Sequence, residues 1–136
     1  MKIKIIDVPL YYGCDNPGTH LGPMAFSKHN ISSLAERCGN QVSGISLIGV
    51  PEKPADKAAE PTMKYLEEVT DTCRQLADSV QDGFVKGSLP FVVGGDHSLG
   101  IGSIAGLSRC IPDNQLSVVW IDAHTDINTN LTSESH

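Results

Sequence analysis

The chain has 136 residues, of which 40% are hydrophobic and 19% are charged, and its formal net charge is −6. This length suffices for one domain with a core, and we expect residues 1–136 to belong to a single α/β domain. The acidic balance and the lack of a basic run argue against binding to nucleic acid or to an anionic membrane surface. No apolar stretch has the length of a membrane span, and the N-terminal residues lack the apolar core of a signal peptide, so we expect a cytoplasmic protein. The four cysteines form no CxxC pair, which argues against a disulfide scaffold or a zinc knuckle.

The first half of the chain predicts two strands separated by a loop and a helix. Isoleucine-rich residues 2–8 predict a strand, and residues 11–23, dense in glycine and proline, predict a long loop. A helix is expected over 24–38 with Leu34 facing inward. Residues 42–50 predict the second strand.

The second half of the chain contains the clearest predicted helix, over about 62–86, because apolar residues recur there at three- and four-residue spacing. That stripe comprises Met63, Leu66, Val69, Cys73, Leu76, Val80 and Phe84. A strand over 90–93, a helix over 98–109 and a strand over 116–121 follow. Nearly all-apolar strands joined by helices predict a parallel sheet that is covered by helices on both faces.

Acidic and imidazole side chains follow two of the predicted strands. GGDHS occupies residues 94–98, and DAHTD occupies residues 122–126. Open parallel sheets bind ligands just beyond the carboxyl ends of their strands, and side chains two residues apart in an extended segment point to the same side. Four side chains can therefore face one cavity: His97, Asp122, His124 and Asp126.

A divalent metal is the natural partner of this quartet. Two carboxylates at the end of a buried strand repel each other, and their burial is costly unless a cation compensates. Carboxylates mixed with imidazole and no thiolate favour Mn²⁺ over structural zinc. One carboxylate that bridges two metals about 3.5–4 Å apart would allow them to share a hydroxide that is nucleophilic near neutral pH.

Two roles are open for the residues around His97. Ser98 or Asp96 could cap the helix that follows, or Asp96 could orient the His97 ring from behind the metal ligands. The glycines at 94 and 95 would allow the backbone to turn sharply and to approach the site closely.

The stretches FVVGGDHS (residues 91–98) and VVWIDAHTDIN (residues 118–128) resemble the ureohydrolase family, and within it the N-terminal half of arginases. The early loop GCDNPGTHLGP resembles a glycine- and proline-containing segment of the same family. The resemblance implies a three-layer α/β/α sandwich, incomplete at its C-terminal side. It also implies two Mn²⁺ ions per active site and hydrolysis of the guanidino group of L-arginine to urea and L-ornithine.

The resemblance also implies a role for each residue of the motifs. His97 and Asp126 correspond to ligands of one manganese and His124 to a ligand of the other, while Asp122 corresponds to the carboxylate that bridges them and holds the hydroxide. Residues in the position to bind substrate are His124, Asn128, Ser133 and Ser135. No residue of the chain corresponds with certainty to the catalytic proton donor.

Several alternatives remain open at this stage. The chain lacks the family's downstream D-x-D motif, so we expect a truncated protein with little or no activity of its own. The substrate could instead be agmatine or another guanidino compound, although the DIN of residues 126–128 favours arginine. A non-catalytic truncated isoform is a further alternative, and the family resemblance implies a homo-oligomer at full length.

Overall fold

The computed structural model describes residues 1–14, 18–52, 64–124, 126, 127, 129 and 132. In chain order the regular elements are β1 (Lys2–Val8), a short 3-10 helix (Thr19–Leu21), α1 (Gly22–Lys28), α2 (Ile31–Arg37), β2 (Gln41–Leu47), α3 (Leu66–Val85), β3 (Leu89–Gly94) and α4 (Leu99–Ser108). The predicted strands 2–8, 42–50 and 90–93 are confirmed, with shifts of one to three residues at their ends. None of the helices in the described ranges is long and apolar enough to cross a membrane.

The sheet is parallel and has the order β2-β1-β3, so β1 lies in the middle. Ile5 of β1 is in register with Ile45 of β2 on one side and with Phe91 of β3 on the other. A central strand is buried from both faces, which explains why β1 is rich in isoleucine. The carboxyl ends of all three strands therefore lie at one end of the sheet.

Helices cover both faces of the sheet, as the sequence predicted. On one face, Ile6 and Val8 of β1 pack in a cluster with Leu76 and Val80 of α3 and with Leu99, the first residue of α4. On the other face, a second cluster contains the remaining inward residues of the sheet and α2: Ile3, Ile5, Val93, Ile31, Ala35 and Val42. The alternation of side chains along β1 thus supplies two separate cores, and the fold is a three-layer α/β/α sandwich.

Glycines of α4 allow it to pack closely against α3. A Cβ atom at Gly102 would lie 2.7 Å from the carbonyl oxygen of Cys73, and one at Gly106 would lie 2.6 Å from that of Ala77. Backbone of α4 therefore contacts backbone of α3, which a larger residue would prevent. This contact fixes the start of α4, and with it the loop that carries His97.

The predicted inward face of α3 is confirmed at the centre of the helix and is wrong at its two ends. Cys73, Leu76 and Val80 are buried, but Leu66 and Phe84 are exposed. Glu68 and Thr72 take inward positions instead. Apolar spacing alone missed this because polar residues with satisfied groups can occupy a buried face, as the Thr72 hydroxyl does by donating to the carbonyl oxygen of Glu68. Met63 lies outside the described residues.

The helix predicted over 24–38 is two helices, α1 and α2, separated at Asn30. The backbone of Asn30 is left-handed, with φ of 54°, and its side chain accepts a hydrogen bond from the backbone N–H of Ser33. Asparagine tolerates this conformation and is a favoured N-cap, so a new helix begins there. Leu34 is exposed, contrary to the prediction, because Ile31 and Ala35 provide the inward face of α2.

The prediction of a fourth strand over 116–121 is wrong for the described structure. These residues have no regular secondary structure and do not pair with any described strand, and Val119 and Ile121 are 84% and 89% exposed. A strand needs a hydrogen-bonding neighbour as well as an apolar sequence, and the outer edge of β3 does not accept this segment. The segment is held to the rest of the molecule by other contacts, described below.

Candidate metal centre

The loop that carries His97 is fixed by close packing at the carboxyl end of the sheet. β3 ends at Gly94, and a Cβ atom at Gly95 would lie only 1.9 Å from the carbonyl oxygen of Leu10. The loop therefore lies directly against the chain that leaves β1, and glycine is required for this approach. As a result His97 projects from a rigid position next to the end of the central strand.

Asp96 ties this loop to the loop after β1. Its carboxylate accepts hydrogen bonds from the backbone N–H of Gly13 at 2.8 Å, from the backbone N–H of Ser98 at 3.0 Å and from the Ser98 hydroxyl. The Ser98 side chain makes no cap bond to α4. In the described part of the chain, no hydrogen bond joins Asp96 to the His97 ring, so its role in orienting that ring stays a prediction.

Three of the four predicted ligands converge. His97, Asp122 and Asp126 each offer one ligand atom, and these atoms lie within 4.8 Å of one another. The Nδ1 atom of His97 contacts Oδ2 of Asp122 and lies 3.4 Å from Oδ2 of Asp126. The two motifs, 25 residues apart between His97 and Asp122 in the sequence, are therefore adjacent in space.

His124 lies on the other side of Asp122. Its Nδ1 atom is 3.2 Å from Oδ1 of Asp122, whereas His97 contacts Oδ2 of the same carboxylate. The side chain of His124 is 84% exposed, so it faces outward from the cluster of three. The two oxygens of Asp122 thus lie beside two different imidazole rings, those of His97 and His124.

The surroundings of Asp122 favour its ionised form. The backbone N–H of His124 donates to Oδ1 at 2.8 Å, and this bond is the main reason why the pKa of Asp122 lies below its usual value. The hydrogen bond from His97 lowers the pKa further, although partial burial opposes both effects. A carboxylate that is already ionised at neutral pH binds a cation without first losing a proton.

Trp120 contacts two of the three converging ligands, and sequence reasoning missed it. Its ring stacks on the His97 ring with centroids 4.3 Å apart and an interplanar angle of 18°. Its Nε1–H donates to Oδ2 of Asp126 at 3.0 Å. The available signal was its position two residues before Asp122 in an extended run, which places both side chains on the same side.

The backbone at Asp126 is left-handed, with φ of 50°. Aspartate tolerates this conformation better than most residues, but it still carries some strain. The turn directs the Asp126 carboxylate back toward His97 and Trp120. Asn128, Ser133 and Ser135, predicted to bind substrate, lie outside the described residues.

Comparison with known proteins identifies the family. A profile of the arginase family matches residues 1–136. The arginase of Brevibacillus brevis is 35% identical over 134 residues, and arginase-1 of Rattus norvegicus is 36% identical over 133 residues. This chain belongs to the arginase family. Each alignment covers 98% of the chain but only 44% and 40% of the respective relative, so the chain spans less than half of their length.

Solved arginase structures share its fold. The arginase of Bacillus caldovelox superposes with a TM-score of 0.88 at 31% identity, covering 97% of this chain and 44% of that one. The arginase of Entamoeba histolytica, solved in complex with L-ornithine, gives a TM-score of 0.83 at 30% identity, covering 98% and 45%. The three-layer sandwich described above is therefore the N-terminal part of an arginase fold.

The donor set in this arginase-family chain fits a divalent cation. Two carboxylates and one imidazole converge, and Asp122 and Asp126 carry like charges that a cation would compensate. No cysteine belongs to the cluster. Oxygen and imidazole ligands without thiolate suit metals of the manganese type.

Proposed function

We propose that this site binds Mn²⁺ and serves the hydrolysis of the guanidino group of L-arginine to urea and L-ornithine. The observation that carries the proposal is the convergence of His97, Asp122 and Asp126 within 4.8 Å, at the carboxyl end of an arginase-family sheet. The chain spans less than half of its relatives. We therefore propose the activity for a complete enzyme, with little or no turnover by these 136 residues alone.

We propose the ligand roles that the family resemblance implies, in which His97 and Asp126 would hold one ion and His124 the other. The contacts of Asp122 support these roles, because its Oδ2 lies beside His97 and its Oδ1 lies beside His124. When bound, the metal pair supplies a nucleophile at neutral pH by lowering the pKa of water. Asp122 contributes a carboxylate that is ionised at that pH, and Trp120 holds Asp126 and His97 in place through the contacts described above.

Arginine is the proposed substrate for two reasons. The Entamoeba histolytica arginase was solved with L-ornithine, the amino acid that remains after urea is removed from L-arginine. In this chain Asn128, Ser133 and Ser135 can donate hydrogen bonds to an α-carboxylate, which agmatine lacks. The exposed ring of His124 is accessible to a substrate, and we propose that it contributes to substrate binding as well.

Calorimetric titration of the chain with MnCl₂ tests the metal site. We expect saturable binding by the wild-type chain and a loss of at least about tenfold in affinity for Asp122→Asn and for His97→Ala. Asp113→Asn provides a matched control, because Asp113 is an exposed aspartate outside the cluster. Equal binding by Asp122→Asn and Asp113→Asn would contradict the proposal.

Urea release from arginine and from agmatine tests the reaction. We expect a full-length form to prefer arginine and to lose that preference when Asn128 is changed to alanine. We expect the 136-residue chain with Mn²⁺ to release little or no urea. A full-length form that prefers agmatine would assign a different ureohydrolase reaction, and one that is inactive with both would favour a non-catalytic protein.

A further inference from the structure

A cavity lies at the opposite end of the sheet from the candidate metal centre. It measures about 430 Å³ and is bounded by the amino ends of β1 and β2 and by the end of α3. The polar residues that line it include Lys2, Lys4, Gln41, Ser43, Asp82, Lys86 and Ser88. The metal centre is at the carboxyl ends of the same strands, so the cavity is separate from that site.

The cavity is positively charged in an acidic protein. Three of the ten lysine and arginine residues of the chain line it, namely Lys2, Lys4 and Lys86, against a single carboxylate, Asp82. Lys2 and Lys4 are two residues apart on β1, so both side chains are on the face that α3 covers. The formal charge of the lining is therefore positive, whereas that of the whole chain is −6.

Asp82 forms ion pairs with two of the lysines, but its single negative charge neutralises only one of their two positive charges. Nζ of Lys4 lies 3.1 Å from Oδ2 of Asp82 and also donates to the carbonyl oxygen of Ser79 at 3.1 Å, while Nζ of Lys86 lies 2.7 Å from Oδ1 of Asp82. Lys2 makes no ion pair in the residues that the structure describes. One positive charge beside Asp82 and a second on Lys2 are thus available to an anion.

A β-bulge adds hydroxyl groups to the same cavity. Ile3 pairs with Val42 and Lys4 pairs with Gly44, so Ser43 is the extra residue of β2. Its hydroxyl donates to the carbonyl oxygen of Ile3 at 3.1 Å and lies 2.8 Å from the hydroxyl of Ser88. Bulges commonly redirect a side chain in this way.

Carbonyl groups at the carboxyl end of α3, which would repel an anion, are largely occupied by main-chain hydrogen bonds. The carbonyl oxygens of Asp82, Gly83 and Phe84 accept hydrogen bonds from the backbone N–H groups of residues 86, 88 and 87, respectively. Three of the last four carbonyl groups of α3 are therefore occupied by main-chain hydrogen bonds. The side chains that line the cavity at this end are those of Asp82, Lys86 and Ser88.

We propose that this cavity binds a small phosphate-bearing anion. The two uncompensated lysine charges match the charge of a phosphate dianion near neutral pH, and lysine is an established ligand of phosphate. The volume of about 430 Å³ is within the range of small-molecule sites, so a phosphorylated metabolite fits as well as the free ion. The Gln41 amide supplies a neutral donor beside the lysines, whereas the hydrogens of the two serine hydroxyls are used in the bonds that join Ser88, Ser43 and the carbonyl oxygen of Ile3.

Titration of the metal-free chain with inorganic phosphate, followed by calorimetry, tests the proposal. We expect saturable binding in the millimolar range or tighter, weakened by roughly two- to fivefold in Lys2→Gln and in Lys86→Gln, as is typical of exposed charge pairs. Lys28→Gln is the matched control, because Lys28 ends α1 and does not line the cavity. Absence of saturable binding, or equal weakening by Lys28→Gln, would overturn the proposal.

Asp82→Asn distinguishes a defined site from general charge attraction. This change removes the carboxylate that competes for Lys4 and Lys86, so we expect phosphate to bind more tightly than to the wild type. Unchanged or weaker binding by Asp82→Asn, with a far-ultraviolet circular dichroism spectrum that shows the variant folded, would also overturn the proposal. Because no metal is added, the phosphate proposal and the proposed hydrolysis can fail independently. Phosphate binding can be absent while arginine hydrolysis holds, and phosphate can bind while the hydrolysis fails.

Discussion

The described residues up to Ser108, called the packed part, and residues 116–124, 126 and 127, called the ligand segment, are held in very different ways. Ile5 and Ile6 of β1 are 1% and 0% exposed, whereas Val119 and Ile121 of the ligand segment are 84% and 89% exposed. The candidate metal centre takes His97 from the packed part and its two carboxylates, Asp122 and Asp126, from the ligand segment. The packed part therefore fixes one ligand, and the others depend on side-chain contacts to it.

Amide hydrogen exchange should show the largest difference between the two regions. Amides of β1 exchange only when the packed part unfolds, so we expect protection of at least about 10³-fold, given a stability of about 5 kcal/mol. Amides of residues 118–121 lack strand partners and should exchange with little protection. Strong protection there would show that the segment does form the fourth strand that its sequence predicts.

Leu76→Ala should produce the next largest effect. Leu76 is fully buried between α3 and the sheet, so truncation should lower the free energy of unfolding by about 2–5 kcal/mol. Leu66→Ala is the matched control, since Leu66 is 52% exposed and its truncation should cost less than about 1 kcal/mol. Urea denaturation measures the free energy of unfolding of both variants. Equal losses would mean that Leu66 is buried as the sequence predicts, and not exposed as in the structure.

Trp120→Leu should loosen the contact between the two regions. The change removes both the stack on His97 and the hydrogen bond to Asp126, so we expect Mn²⁺ affinity to fall by about tenfold. Trp120→Phe keeps an aromatic ring, so its Mn²⁺ affinity should fall less. Calorimetry measures these affinities, and the wild-type chain offers a second measurement because Trp120 is its one tryptophan. Fluorescence that does not respond to Mn²⁺, together with unchanged affinity in both variants, would show that Trp120 does not hold the ligands.

Asp82→Asn should have the smallest effect on stability. Its carboxylate pairs with Lys86 and Lys4, and these hydrogen bonds hold the pKa of Asp82 below its usual value. A lowered pKa in the folded state means that the stabilisation is present above the pKa of the unfolded chain and is lost as pH falls through the folded value. Wild type should thus be slightly more stable than the variant at pH 7, and the gap should close in acid below about pH 4. Thermal unfolding at several pH values measures this gap; a gap that widens in acid would contradict the assignment.

Much of the fold could be predicted from sequence because its signals are local. Isoleucine-rich β1, the short β3 and the centre of α3 follow directly from apolar spacing. The break at Asn30 was missed because one left-handed residue in a helical pattern leaves little trace in composition. The prediction of a strand at 116–121 was wrong because a strand needs a neighbouring strand to pair with, and the sequence of these residues does not indicate whether one is present.

The candidate metal centre was predictable to a similar extent. Spacing predicted that His97, Asp122, His124 and Asp126 share one cavity; three of them converge, whereas the ring of His124 faces outward. Trp120 was missed because an indole in an apolar run is usually part of a core, whereas here it contacts two ligands. Asp96 has the chemistry of a ligand or an orienting group, but its hydrogen bonds join two loops, which only the tertiary structure reveals.

The paired glycines before His97 have a consequence for recognising related sequences. A Cβ atom at Gly94 would lie 1.9 Å from Cδ1 of Leu99, and one at Gly95 would lie 1.9 Å from the carbonyl oxygen of Leu10. Both contacts concern packing alone, and the backbone contact at Gly95 would persist in a descendant that had lost His97, Asp122 and Asp126. A search that rewards the glycine pair will therefore also retrieve relatives that keep this packing without the candidate metal cluster, and the identities at 97, 122 and 126 distinguish the two groups.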